Sequence, residues 1–354
     1  MSIDRIVSNR RWHKSSSLEV LIAAFMGFAF CGTTYALPPP DSPPRLVGYL
    51  PGYTGVSYTD YARSFDFSGV THLNLAFGNP PKCDGPCTSK SDMNFSIKGQ
   101  SDADVVAIVH AAHAANVKVL LSIGGGGGDQ LILPFYNAGL SVQLAASLDK
   151  YVKAHDLDGI DVDIEDPSNM GAPFAFFIDV LIAKFHPQGK LITAAVAKYL
   201  QDSMPDTPLH QFDFINVMTY SSYASATTAL DFYSTQKKVP SDKIVLGVPF
   251  FGSNSGDTKE EDYETILAAY PNAWRVDMVG GGPLDDGQSF NYVGENTMAK
   301  ETQLGKKFGG IMVWNLMADA HAPHSLLSVV RKSLSSAELN GGLSSCAIDT
   351  PSRQ

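Results

Sequence analysis

Asp158-Gly159-Ile160-Asp161-Val162-Asp163-Ile164-Glu165 places four carboxylates in eight residues. Asp161, Asp163 and Glu165 alternate with Ile160, Val162 and Ile164, and a period of two marks a strand whose faces see different surroundings. The apolar face suits packing beneath a helix. The acidic face is not ordinary core, because three ionised carboxylates on one face repel one another and lose solvation. Asp166-Pro167 then ends the strand before a loop. A solvated strand face or a hydrogen-bonded carboxylate network are the bland readings. Hard cations also favour clustered carboxylates, but ligands two apart on a strand lie ~6.6 Å apart and converge poorly. Acid–base chemistry is the preferred reading, since crowded carboxylates share protons and drive one pKa up and another down.

Outward from this stretch, apolar segments recur at Leu46–Leu50, His72–Phe77, Lys118–Ile123, Leu191–Ala197, Phe214–Thr219, Ile244–Phe250 and Gly310–Asn315. With Gly159–Glu165 they make eight predicted strands. Helical segments separate them. In Ser101–Ala115, Ser101 and Asp104 form a capping pattern, and Val105, Ile108, Val109 and Ala112 follow at helical spacing. Ser141–His155, Asn296–Lys307 and Pro323–Leu334 are further predicted helices. Eight strands alternating with helices predict an α/β fold, a (β/α)8 TIM barrel over residues 45–334. A doubly wound sheet is the alternative, but no dinucleotide fingerprint is present.

The 354 residues are 44% hydrophobic and 18% charged, with net charge −10, which argues against nucleic acid and anionic membrane surfaces as partners. Residues 1–36 read as a secretory signal peptide: Arg5, Arg10, Arg11 and Lys14, then the apolar run Val20 to Phe30, then Thr34-Tyr35-Ala36 before the expected cut. An uncleaved anchor is the alternative. Secretion or periplasmic export, with no stable membrane association after cleavage, is the expectation. Residues 37–44 form a Pro-rich linker, and 335–354 a Ser/Gly-rich tail. In an oxidising compartment Cys83 and Cys87, around Asp84-Gly85-Pro86, are expected to form a local disulfide. Cys346 has no evident partner.

Gly124–Gly128 lacks the spacing and Lys-Ser/Thr ending of a phosphate loop. Its glycines let backbone approach a ligand at a barrel mouth, where barrel enzymes place their chemistry. The strand ends there carry Tyr49, Phe77, Gly125, Glu165, Met218 with Tyr220, and Trp314. Beside a carboxylate cluster, these aromatic side chains suit the floor and walls of a sugar site.

Asp158-x-x-Asp161-x-Asp163-x-Glu165 resembles the D-x-x-D-x-D-x-E signature of glycoside hydrolase family 18, the chitinases and endo-β-N-acetylglucosaminidases. Ser122-Ile123-Gly124-Gly125 resembles the family's S-x-G-G, Met218-Thr219-Tyr220 its M-x-Y, and Gly309-Gly310-Ile311-Met312-Val313-Trp314 its G-G-x-M-x-W. Two departures stand out: Ser221 where the family often has Asp, and Asp166 where many members have an aromatic residue. The resemblance implies a retaining, substrate-assisted hydrolase. In it Glu165 protonates the leaving oxygen, Asp163 holds the acetamido N–H, Tyr220 holds the acetamido oxygen, and Asp161 shares a proton with Asp163. Asp158 is mainly structural. Tyr49, Phe77, Gly125, Met218 and Trp314 would bind substrate, a polysaccharide or oligosaccharide containing N-acetylglucosamine. No metal or organic cofactor is implied, and a monomer is expected. The interval Gly252 to Gly309 has to hold a helix near Lys259–Tyr270, so no large α+β insertion is expected. An open cleft that cuts within chains follows. A glycoprotein-directed endo-β-N-acetylglucosaminidase and a non-catalytic glycan-binding protein remain the alternatives.

Overall fold

The computed structural model describes residues 43–336, apart from 167, 169, 198, 199, 201, 202, 257 and 285–288. The expected signal peptide, most of the linker, Cys346 and the tail from residue 337 lie outside the described residues.

Eight parallel strands close into a barrel. They are β1 (Arg45–Pro51), β2 (His72–Ala76), β3 (Lys118–Gly124), β4 (Gly159–Asp163), β5 (Leu191–Ala197), β6 (Ile215–Met218), β7 (Ile244–Pro249) and β8 (Gly310–Trp314). Neighbouring strands pair in chain order and β8 closes on β1, with Arg45 opposite Gly310. All eight segments expected from sequence are strands, with no end displaced by more than two residues. The displaced ends matter. Phe77, Glu165 and Asn315 lie just beyond their strands, where the chain leaves the ladder and the side chain is freed from the inside–outside alternation.

That alternation divides the core in two. Leu46 and Leu50 of β1, with Ile160, Val162 and Ile164, join the large outer cluster between strands and helices. Val47 and Tyr49, Val245 of β7 and Met312 of β8 form a smaller inner cluster inside the barrel. Asp161 and Asp163 are buried, and a period of two puts them on the face opposite the apolar three.

The helix Asp102–Ala114 starts with the expected capping box: Ser101 accepts from the Asp104 N–H, and Asp104 accepts from the Ser101 N–H. Ser141–Ala154, Glu295–Lys306 and Leu326–Ser335 are helices close to their expected bounds. The interval after β7 holds more than the one helix read there. Phe251–Asn254, Glu260–Asp262, Met278–Gly280 and Ser289–Asn291 form a four-stranded antiparallel sheet, with the helix Tyr263–Ala269 inserted. These strands of three or four residues are too short to show a period in sequence. The interval thus holds an α+β unit where a single helix was expected, confined to the stretch between β7 and the helix Glu295–Lys306.

After β2, Gly78–Asn79 pairs with Ser96–Ile97 in a short antiparallel ladder. The loop between them is closed by the expected Cys83–Cys87 disulfide, with Cα atoms 5.5 Å apart.

Candidate active site

Register builds the site. Ser122 on β3 lies beside Asp161 on β4, which lies beside Thr193 on β5. Asp161 is fully buried, and its two oxygens take four donors from four other strands. Oδ2 accepts from the Tyr49 hydroxyl at 2.6 Å and the Ser122 hydroxyl at 2.8 Å. Oδ1 accepts from the Thr193 hydroxyl at 2.6 Å and Asn216 Nδ2 at 3.3 Å. Burial pushes the Asp161 carboxyl up, and the hydrogen bonds from Thr193, Tyr49, Ser122 and Asn216 oppose that rise.

Asp163 sits one pleat further toward the mouth, 3% exposed. Its Oδ1 is buried with no hydrogen-bond partner among the described residues. Burial raises its pKa well above the usual carboxylate range, and the charges of Glu165, Asp161 and Asp129 raise it further. Both effects favour the neutral form of Asp163, whereas Asp161 has four donors that oppose the same rise. The sharing expected between Asp161 and Asp163 is not a direct hydrogen bond here, because Asp161's oxygens are occupied by the four donors; the two are linked through their charges.

Glu165, half-buried, follows in the loop beyond β4. A Cβ on Gly126 would lie 3.9 Å from Glu165 Oε1, so the glycine-rich loop after β3 flanks the carboxyl. Gly124 and Gly125 are required by their surroundings. Gly124 has φ +96°, and a Cβ there would meet the Asp163 carbonyl oxygen at 2.2 Å. Gly125 has φ +77°, and a Cβ would strike the Phe77 ring at 2.3 Å. The Gly125 N–H donates to the Asp163 carbonyl at 2.8 Å. Asn79 pins the loop from the other side: its Oδ1 accepts from Gly124 N at 3.0 Å, and its Nδ2 donates to Gly124 O at 3.1 Å.

Aromatic rings line the mouth. Phe77 and Trp314 stack with centroids 5.5 Å apart and planes 20° apart. Both are half-buried and pack, with Met218 and Tyr220, on the inner cluster. The Tyr220 ring meets Phe251 edge-on at 5.6 Å, so the insertion after β7 supports that side of the site. Tyr49 is a correction. The sequence points to a substrate-binding wall, but Tyr49 is 1% exposed and its hydroxyl is spent on Asp161. It props the carboxylate from below.

Asp158 has the structural part expected of it. Its carboxylate takes His113 Nε2 at 2.8 Å, Lys118 Nζ at 2.9 Å and the Val119 N–H at 2.8 Å. Burial works against its charge, but these bonds outweigh it and hold the carboxyl below the usual range. Asp129 was missed by sequence reasoning. It is 4% exposed, raised by burial and by Asp166, and its own charge reaches Asp163. A carboxylate directly after a glycine run was its one signal.

Comparison with known proteins agrees with this geometry. Residues 45–319 match the profile of glycosyl hydrolases family 18. A chitinase-like effector of Moniliophthora perniciosa is 32% identical over 123 residues, 34% of this chain and 26% of that protein. A chitinase-like effector of Moniliophthora roreri is 24% identical over 287 residues, 66% of each chain. The chain thus spans about a quarter of the first relative's length and 66% of the second's. Among solved structures, the chitinase ChiB from the chitin utilization locus of Flavobacterium johnsoniae superposes with TM-score 0.69 at 27% identity, covering 82% of this chain and 94% of that one. With the profile match running through all eight strands and the acidic strand at their centre, the chain belongs to glycosyl hydrolases family 18.

Proposed function

We propose that this chain is a secreted endo-acting hydrolase of β-1,4-linked N-acetylglucosamine polymers, working by a retaining, substrate-assisted mechanism. The observation that carries the reading is the buried pair Asp161 and Asp163 beneath Glu165, beside the Phe77–Trp314 stack. A retaining enzyme with a protein nucleophile needs a second carboxylate ~5–5.5 Å from the acid, across the scissile bond. Here Asp161, Asp163 and Glu165 follow one another along β4 and its exit, side by side and not across the cleft, so in this reading the nucleophile is the sugar's own acetamido oxygen.

In this mechanism Glu165 gives a proton to the glycosidic oxygen as the bond to the anomeric carbon breaks. The acetamido oxygen attacks that carbon and closes an oxazolinium ring. Asp163 accepts the acetamido N–H at Oδ1, an acceptor role that a protonated carboxyl keeps. Tyr220 holds the acetamido oxygen in line, and Trp314 and Phe77 carry the C–H face of the ring. Water, giving a proton back to the Glu165 carboxylate, then opens the oxazolinium from the opposite side, so two inversions return the original anomer. Cleavage within chains is carried over from the sequence reading, in which the interval from Gly252 to Gly309 is short. Export with cleavage after Ala36 rests on the N-terminal sequence, and the N-terminus of the mature protein recovered from medium tests it.

Two relatives are named chitinase-like effectors and not chitinases, which leaves room for a second reading, a protein that binds chitin fragments without turnover. Glu165 favours the hydrolase, since a binding site has no use for a proton donor. Product analysis on N-acetylglucosamine oligomers beside an N-glycosylated protein tests both. Oligomer cleavage that Glu165→Gln abolishes supports the proposal, and oligomer binding without turnover supports the second reading. Release of glycans from the glycoprotein alone would overturn the substrate assignment.

A further inference from the structure

Asp129 is a buried carboxylate that the mechanism above leaves unused. The glycine-rich loop brings it back to the acidic strand. Gly124 ends β3 opposite Asp163, and the Gly125 N–H donates to the Asp163 carbonyl at 2.8 Å. The loop then turns on itself. The Gly125 carbonyl accepts the Gly128 N–H at 2.7 Å and the Asp129 N–H at 3.4 Å. Asp129 ends up 4% exposed, at the far end of a run of glycines that passes Glu165: a Cβ on Gly126 would lie 3.9 Å from Glu165 Oε1.

The Asp129 carboxyl meets the acidic strand on both sides of Glu165. Two residues before the acid, Asp163 is raised first by burial and then by the charges of Glu165, Asp161 and Asp129. One residue after it, the Asp166 N–H stabilises the ionised Asp129, as do the N–H and side-chain amide of Gln130; burial and the Asp166 charge work against that. Asp166 commits its own Oδ1 to the Ser168 N–H at 2.9 Å and the Ser168 hydroxyl at 2.6 Å. A carboxylate withdrawn from water is costly unless its contacts repay it. The glycines between carry no side chain to fix the backbone beside the acid. Asn79 clamps Gly124 at one end of the loop, and Asp129 stands at the other.

We propose that Asp129 is a positioning residue for the acid: from the end of the glycine-rich loop its carboxylate holds the main chain just beyond Glu165 and so aims the Glu165 carboxyl at the glycosidic oxygen. The inference rests on the proposed hydrolase and on Glu165 as its proton donor. A misaimed acid is felt most where the leaving group needs a proton. A sugar leaving group needs one, whereas a dinitrophenolate departs without help. The test therefore compares kcat/KM of the full-length wild type, Asp129→Ala and Asp129→Asn on an N-acetylglucosamine oligomer and on the dinitrophenyl β-glycoside of the N-acetylglucosamine disaccharide. Asp129→Ala is expected to lose roughly 10–100-fold on the oligomer, part of the ~10²–10⁴-fold of general acid catalysis, and less than about threefold on the aryl glycoside. Asp129→Asn keeps the size and one acceptor oxygen, so its loss on the oligomer is smaller with the same split between substrates, and it carries the comparison if the alanine protein does not fold. Equal losses on the two substrates, or none on either, would overturn the inference and leave the hydrolase reading standing. A wild type that cleaves neither substrate would overturn both.

Discussion

Glu301 lies on the buried stripe Met298, Glu301, Thr302 and Gly305 of the helix Glu295–Lys306, where the spacing of three, four and seven asks for apolar residues. It is 1% exposed, and both carboxylate oxygens are buried without a partner among the described residues. Burial, then the charge of Asp277, pushes its pKa from 4.5 up to about 8. The folded protein therefore holds a proton that the unfolded chain releases near the ordinary value. Between pH 4.5 and about 8 the native state binds more protons than the unfolded state, so stability falls as pH rises. The interval spans 3.5 pH units, and at ~1.4 kcal/mol each the full loss is on the order of 5 kcal/mol. Against a total of ~5–15 kcal/mol for a folded domain, that is a large fraction. Glu301→Gln keeps the shape and removes the titration. Urea unfolding at pH 5, 7 and 9 is expected to show the wild type losing several kcal/mol more than Glu301→Gln over that range. Parallel curves for the two proteins would refute the reasoning.

Tyr49→Phe removes one of four donors to Asp161 and touches no substrate; kcat is expected to fall roughly 10–100-fold with KM little changed, as for a lost hydrogen bond to a buried charge, and steady-state kinetics on an oligomer check it. Gly125→Ala puts a methyl group against the Phe77 ring in a left-handed backbone; a loss of at least ~1–2 kcal/mol is expected in urea unfolding, together with altered tryptophan fluorescence as the Phe77–Trp314 stack shifts. Cys83→Ser/Cys87→Ser opens a short loop and is expected to cost about 2 kcal/mol by loop entropy, read as a lower unfolding midpoint.

The barrel was legible because its strands are short apolar runs at regular intervals, and the acidic strand because its alternation is strict. Glu165, Asp163, Tyr220 and Trp314 stood at strand ends in recognisable motifs, and the structure brings them to one mouth. What sequence could not show was pairing between distant strands. Thr193 and Asn216 carry no local sign that they donate to Asp161, and Tyr49 looks like any strand-end aromatic until its hydroxyl finds that carboxylate. Asn79 reads as a loop residue, yet it holds Gly124 by both backbone groups. Glu301 is hidden for the opposite reason: a charged residue on a helix is read as solvent-facing, and only tertiary packing places it inside. The sheet after β7 escaped notice because three-residue strands such as Glu260–Asp262 have no periodicity to detect.

The account turns on the sugar's acetamido group as the nucleophile, and the anomer formed first in turnover tests that most directly. Proton NMR of a β-linked N-acetylglucosamine oligomer, followed from the first turnovers before mutarotation, is expected to show the new reducing end as the β-anomer. An initial α-anomer would mean direct attack by water, and the parts given to Asp163 and Tyr220 would fall with it.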